Sequence, residues 1–264
     1  MSALPKETEP LLAAHHIRKC FGGLVALDDV SITVGRGEAV GLIGPNGAGK
    51  TTLFNCIYGV TTFDEGSIFF EGKRIDDVAI HIRARYGMAR TFQRMELFPD
   101  MTVADHFLVA IRARDPKGNL FKSLYKDLLN KNYVTNAEVD EIQELLDILE
   151  LHPLACKPVE SLTLGQGRLV ELGRALASKP KLLMADEPSS GLDASETLQM
   201  ARVINKVRLS KSTAVLLVEH DIEMVKEVVS TTYVLDSGKL LAKGPLDDVL
   251  ADREVRRSFL GLEQ

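Results

Sequence analysis

Gly44-Pro45-Asn46-Gly47-Ala48-Gly49-Lys50-Thr51-Thr52 stands directly after the apolar run Ala39–Ile43 and leads into a helical pattern that starts at Lys50. It fits GxxxxGK[ST] in the strand–loop–helix setting that the motif requires. The glycines let backbone N–H groups turn inward around a phosphate chain, and the helix N-terminus adds its dipole. Lys50 is placed to reach the β and γ phosphates and the Thr51 hydroxyl to ligate Mg²⁺, so residues 44–52 form the candidate phosphate-binding set.

Outward from this loop the alternation of apolar strand and helix repeats. Leu182–Ala185 precedes a helical pattern from about Ala194, and Ala214–Val218 precedes another from Asp221, which reads as α/β with a largely parallel sheet. The first of these strands ends in Asp186-Glu187, the arrangement that brings a metal-holding carboxylate and a second acid beside the phosphates. Asp186 is the expected metal partner and Glu187 the expected general base. Ala14–Arg18, Val30–Val34 and Ile68–Glu71, broken by glycines, read as an antiparallel β lobe. From Thr102 to Leu162 helix signals take over: Val139, Ile142, Leu145, Leu146 and Leu149 recur at helical spacing, and Thr135 with Glu138 makes a capping box. Asp115–Asn132 reads as a loop plus a short helix.

Composition narrows the class. With 264 residues, 45% hydrophobic and 26% charged, the chain is an ordinary globular protein of one large domain or two tightly joined lobes. A formal net charge of −5 argues against broad nucleic-acid binding. Three cysteines, Cys20, Cys56 and Cys156, are too far apart for a metal knuckle and suit a reducing compartment, with Cys56 expected in the core. No apolar run approaches the roughly 20 residues of a membrane span and the opening residues are not expected to act as a secretory signal, so a membrane role is expected to come through a partner.

The residues between the two motifs carry a family resemblance. Ser161-Leu162-Thr163-Leu164-Gly165-Gln166, followed by an amphipathic helix expected over Gly167–Ser178, resembles the LSGGQ signature of ATP-binding cassette (ABC) ATPases. Gln93 in Thr91-Phe92-Gln93 resembles the Q-loop, Ser190-Gly191-Leu192-Asp193 the D-loop, and His220 in Val218-Glu219-His220-Asp221 the switch histidine. Phe21 holds the place of the aromatic that stacks on adenine. Taken singly each has an ordinary explanation as core or loop; together they stand in the family's order. Thr163 replaces the usual serine but keeps a hydroxyl, and Leu164 stands where glycine or an aromatic is more frequent.

The resemblance implies a P-loop NTPase (RecA-like) ABC nucleotide-binding fold, with core residues 1–94 and 163–264 and a helical subdomain over 95–162. It implies ATP and Mg²⁺ as cofactors, with Lys50, Gln93, Glu187 and His220 as catalytic residues. Residues 44–52 with Phe21, Thr163, Gly165, Gln166 and Asp193 would bind nucleotide, and Thr51, Gln93 and Asp186 would hold the metal. The signature of one cassette completes the site of another, so two cassettes should act head to tail, as a homo- or heterodimer. Integral-membrane permeases would dock around Met95-Glu96-Leu97-Phe98, on the cytoplasmic side of the inner membrane.

Gly87-Met88-Ala89-Arg90-Thr91-Phe92-Gln93, Leu97-Phe98 with Met101-Thr102-Val103, and the ending Val255 with Phe259-Leu260-Gly261 look like the branched-chain amino acid importer branch, which is served by a periplasmic solute-binding protein. An exporter cassette such as that of lipopolysaccharide export, and a soluble ABC protein, are the competing readings. The second of these would be expected to carry fused cassettes or a long coiled-coil insertion.

Overall fold

The computed structural model describes residues 9–91, 96–114 and 134–260. The loop strand, β3 (Ala39–Ile43), is buried at all five positions, as are β7 (Leu182–Asp186) and β8 (Ala214–Val218). Strands covered on both faces need apolar side chains on both, which is why these three read as continuous hydrophobic runs. They lie in a six-stranded sheet of order β10-β9-β3-β8-β7-β6, completed by β6 (Met88–Arg90), β9 (Thr231–Asp236) and β10 (Lys239–Gly244). All neighbours are parallel except the β9–β10 hairpin.

Alternate side chains of the sheet go to two cores. Val40, Leu42, Met184 and Leu216 face the first, shared with helix α1 (Lys50–Tyr58) and a four-stranded antiparallel sheet of order β2-β1-β4-β5. That sheet consists of β1 (Leu12–Phe21), β2 (Leu24–Val34), β4 (Glu65–Phe70) and β5 (Lys73–Arg74), and α2 (Ile80–Tyr86) leads from it to β6. Cys56 on α1 is fully buried here, and burial pushes its thiol up to about 11.

Leu183, Ala185, Val215 and Leu217 face the second core. Helices α3 (Val103–Arg114), α4 (Asn136–Leu149), α5 (Leu164–Ala177) and α6 (Ala194–Lys211) cover it, joined by Met224 and Val228. The α4 start has the expected capping box, with Thr135 and Glu138 satisfying each other's backbone N–H. One boundary differs from expectation. The helix expected from Gly167 begins at Leu164, because Thr163 is its N-cap and forms a capping box with Gln166. A third cluster joins Ile43 and Val234 to α7 (Ile222–Val228), α8 (Leu246–Ala251) and Val255 of α9 (Arg253–Leu260). Segment 115–132, Phe92, Gln93, Met95 and Gly261 lie outside the described residues.

Register sets where chemistry can occur. Leu42 pairs with Val218, and Val218 pairs with Asp186, so the C-terminal ends of β3, β8 and β7 open on one edge of the sheet. Ligands of open α/β sheets bind at such an edge.

Candidate functional site

The loop after β3 is shaped by backbone that only glycine accepts. Gly44 has φ 148°, and a Cβ there would collide with the Leu235 carbonyl oxygen. The loop is tied to the antiparallel sheet: Gly238 N–H donates to the Ala48 carbonyl at 2.9 Å, and Asp28 N–H to the Gly238 carbonyl at 2.8 Å. Lys50 is buried and donates to the carbonyls of Gly44 (2.7 Å) and Pro45 (2.9 Å). Burial pushes its ammonium pKa down, and the charges of Glu187 and Asp186 pull it back up. The N-cap of α1, Gly49, offers no side-chain hydrogen bond, and the first turn holds no acid. Its leading N–H groups and the positive end of its dipole are thus left to a ligand.

At the end of β7, Asp186 is 2% exposed. Its Oδ2 accepts from Arg90 Nη2 at 2.9 Å, while its Oδ1 is buried without a hydrogen-bond partner among the described residues. Arg90, from the end of β6, also donates to Asn55 Oδ1 at 2.6 Å and lies over the Phe54 ring. Burial pushes the Asp186 carboxyl up, and Arg90 pulls it down. Glu187 follows with a left-handed backbone, φ 47°, its N–H donating to the Val218 carbonyl. That turn points the two adjacent carboxylates into different surroundings, one buried against Arg90 and one half-buried.

His220, after β8, is exposed, with its Nδ1 3.7 Å from Glu219 Oε2. Glu219 itself is fully buried. It accepts from Ser189 N–H (2.9 Å) through one oxygen, and from His220 N–H (3.0 Å) and Asp221 N–H (3.3 Å) through the other. This carboxylate, which sequence reasoning passed over, fixes the turns after β7 and β8 to one another. Its only signal is an acid at the inner end of an apolar strand, a position where burial requires several donors. Phe21, at the end of β1, is 50% exposed, so its ring lies at the surface rather than in the core, with Lys19 Nζ over it at 5.2 Å from the centroid. Gln93 lies outside the described residues.

The signature residues gather elsewhere. Thr163 Oγ1 accepts from Gln166 N–H at 3.3 Å and donates to Glu196 Oε1 at 3.4 Å. Gly165 lies against the same Glu196 carboxylate. Asp193 caps α6 through Ser195 N–H (2.8 Å) and Glu196 N–H (2.9 Å). Thr163, Gly165, Gln166 and Asp193 therefore form a second group at the N-termini of α5 and α6, apart from the strand-end group of Lys50, Thr51, Thr52, Asp186, Glu187 and His220. A cleft of about 1050 Å³ separates α2 and β6 from α3 and α5, and Tyr86, Arg90, Phe98, His106, Arg174 and Lys181 are among its lining.

Known proteins place this architecture. The ABC transporter family pattern matches residues 27–190. LivG of Salmonella typhimurium, a high-affinity branched-chain amino acid transport ATP-binding protein, is 35% identical over 96% of this chain and 99% of its own length. LptB of Escherichia coli K12, a lipopolysaccharide export system ATP-binding protein, is 32% identical over 95% of this chain and 97% of its own. The ADP conformation of MJ1267, an ATP-binding cassette of an ABC transporter, superposes with a TM-score of 0.81 at 32% identity, covering 97% of this chain and all of that one. Glycine-lined loop, paired strand-end acids and signature helix stand in one order in one fold, and the chain belongs to the ABC transporter family as one of its ATPase cassettes.

Proposed function

We propose that the chain is the ATP-hydrolysing subunit of a membrane importer for branched-chain amino acids or a related small polar solute. The observation that carries this is the full-length likeness to LivG. The likeness to LptB makes export the second reading.

In this reading residues 95–162 act as a helical subdomain on a core of 1–94 and 163–264. Two cassettes, identical or different, close head to tail, so that the strand-end group of one meets the signature group of the other. Lys50 exchanges the carbonyls of Gly44 and Pro45 for β and γ phosphate oxygens, while N–H groups of the loop 44–52 other than Pro45, which has none, and the bare start of α1 wrap the rest of the chain. Phe21 stacks on adenine.

The unspent Asp186 Oδ1 and the Thr51 hydroxyl, with Gln93, suit Mg²⁺, which takes hard oxygen donors. Bound there, the ion would neutralise phosphate charge. Glu187 takes a proton from the water that attacks the γ-phosphorus as ADP leaves. His220 contacts the γ-phosphate, and Thr163, Gly165, Gln166 and Asp193 close on it from the partner cassette.

The cleft beside Phe98 receives integral-membrane permease subunits and holds the cassette at the cytoplasmic face of the inner membrane. A periplasmic solute-binding protein feeds the same system. Among the described residues no helix is long and apolar enough to cross a membrane. The test is to tag the Glu187→Gln chain in its native host and identify what co-purifies from detergent extracts with ATP. Two multi-span permeases encoded beside a periplasmic binding protein are expected. Export machinery would overturn the direction, and ribosomes without membrane protein would overturn transport.

A further inference from the structure

Helix α5 carries a buried acid among apolar neighbours. Glu171 lies between Val170 and Leu172, both buried, and is itself buried. A carboxylate in such a place is costly unless its oxygens are matched by donors. Oε2 accepts from Arg168 Nη1 at 3.2 Å, one turn back on the same helix. Oε1 reaches off the helix to the backbone N–H of Glu96 at 3.1 Å. Arg174, one turn further on, donates through Nη1 to the carbonyl of that same residue at 2.5 Å. Residue 96 is thus held at both its N–H and its C=O by two side chains of α5, whatever its own side chain.

The hold continues into the next residues. Phe98 N–H donates to Nε2 of the buried His106 at 3.0 Å, which leaves Nδ1 to carry the ring proton toward the Thr102 carbonyl at 2.9 Å. Leu97 packs on the helical core, while Phe98 is 56% exposed. The rod that carries the clamp is itself locked. Gly173 admits Phe107 and Leu149 so closely that a Cβ there would overlap both, which seats α5 against α3 and α4. Thr163 begins this rod, and a helix of 14 residues is about 21 Å long.

We propose that Glu171 and Arg174 are positioning residues that make the peptide at residue 96 travel with α5, so that movement of the Thr163 end is delivered to the exposed surface at Phe98. This rests on the reading that Thr163 engages nucleotide on a partner cassette. A leucine at 171 and a methionine at 174 would serve packing as well; what the polar pair adds off its own helix is the grip on the backbone of residue 96.

The chain has no tryptophan, so Phe98→Trp places a single emission reporter on the surface in question. In a Glu187→Gln background, MgATP is expected to raise light scattering as cassettes associate and to change the tryptophan emission. Adding Arg174→Met should preserve association and abolish the emission change. Arg174→Lys, which keeps a donor, should restore part of it, a rescue that loss of packing would not give. Glu171→Gln, of equal volume, is the second variant and should give an intermediate response if Arg174→Met does not fold. A full emission change in associating Arg174→Met or Glu171→Gln protein would overturn the clamp. Failure of the parent to associate would overturn the trans reading alone. The clamp is then judged on the unassociated chain, where Glu171→Gln should speed amide exchange at Glu96 by about tenfold, and unchanged exchange would overturn it.

Discussion

Two helix starts in this molecule follow opposite rules. At α1 no side chain caps the helix and no acid stands in the first turn. At α5 the start is closed by its own residues: Thr163 and Gln166 satisfy each other, and Glu196 accepts from the Thr163 hydroxyl. The backbone donors left open at α1 bind a phosphate without first giving anything up, though the Lys50 side chain must release the Gly44 and Pro45 carbonyls, whereas a hydroxyl already engaged must exchange one acceptor for another. The contrast predicts an order of events, with nucleotide seated first on α1 and the signature engaging second, at the expense of an internal bond. Polar pairing has thus been withheld from the surface that must bind alone and supplied to the one that meets its ligand only through a partner.

The comparison can be broken most decisively at the chemistry between the two ends. Glu187→Gln should retain ATP binding while turnover falls by about 10²–10⁴-fold, the usual worth of a general base. Phosphate release within about threefold of the parent would remove Glu187 from that role.

Mixing chains tests the division itself. Lys50→Ala disables the open start and Thr163→Val the closed one, so neither variant alone should associate with ATP, while their mixture regains one intact composite site. Light scattering that stays flat for the mixture would count against the head-to-tail pairing.

Acid sharpens the contrast, because only the closed type of start holds a carboxylate to titrate. At α4 the capping acid Glu138 is held below its ordinary range, first by its hydrogen bond to Arg112 and then by the Thr135 bonds. A depressed carboxylate contributes stability that is present above its unfolded value of about 4.5 and lost as pH falls through the lower folded value. Unfolding monitored below pH about 4.5 should show a loss of order 1 kcal/mol in the parent that is absent in Glu138→Gln. Equal acid sensitivity in the two proteins would remove this cap as its source.

The smallest effect concerns the acceptor itself. Glu196→Gln weakens the grip on Thr163 and should lower the ATP concentration needed for association by about fivefold, since a neutral hydrogen bond is worth roughly 1 kcal/mol less than a charged one. A raised requirement would mean that Glu196 assists the signature rather than restraining it.

The loop from Gly44 to Thr52, the acids at 186 and 187, and the three long βα units were legible because each is a local pattern: a spacing, an apolar run, a helical period. The start of α5 lies three residues before the expected Gly167, although Thr163 and Gln166 already spell a capping box in the sequence. Strand β6 has three residues and gains its identity from pairing with β7, which no window of its own sequence reveals. Arg90 and Glu219 were invisible for a related reason. Their partners, Asp186 at 96 positions away and Ser189 at 30, become neighbours only when the parallel sheet is assembled.

Cys56 sits on the helix that leads out of the phosphate loop, fully buried, with its thiol pushed up to about 11. At neutral pH only about one part in ten thousand of such a group is thiolate, the form that oxidants and alkylating agents attack. Cys156, by contrast, is exposed. During oxidant stress the helix that leads out of the phosphate loop keeps its sulfur, and chemical damage or deliberate labelling falls instead on the thiols that solvent reaches, Cys156 and the partly exposed Cys20 beside Phe21.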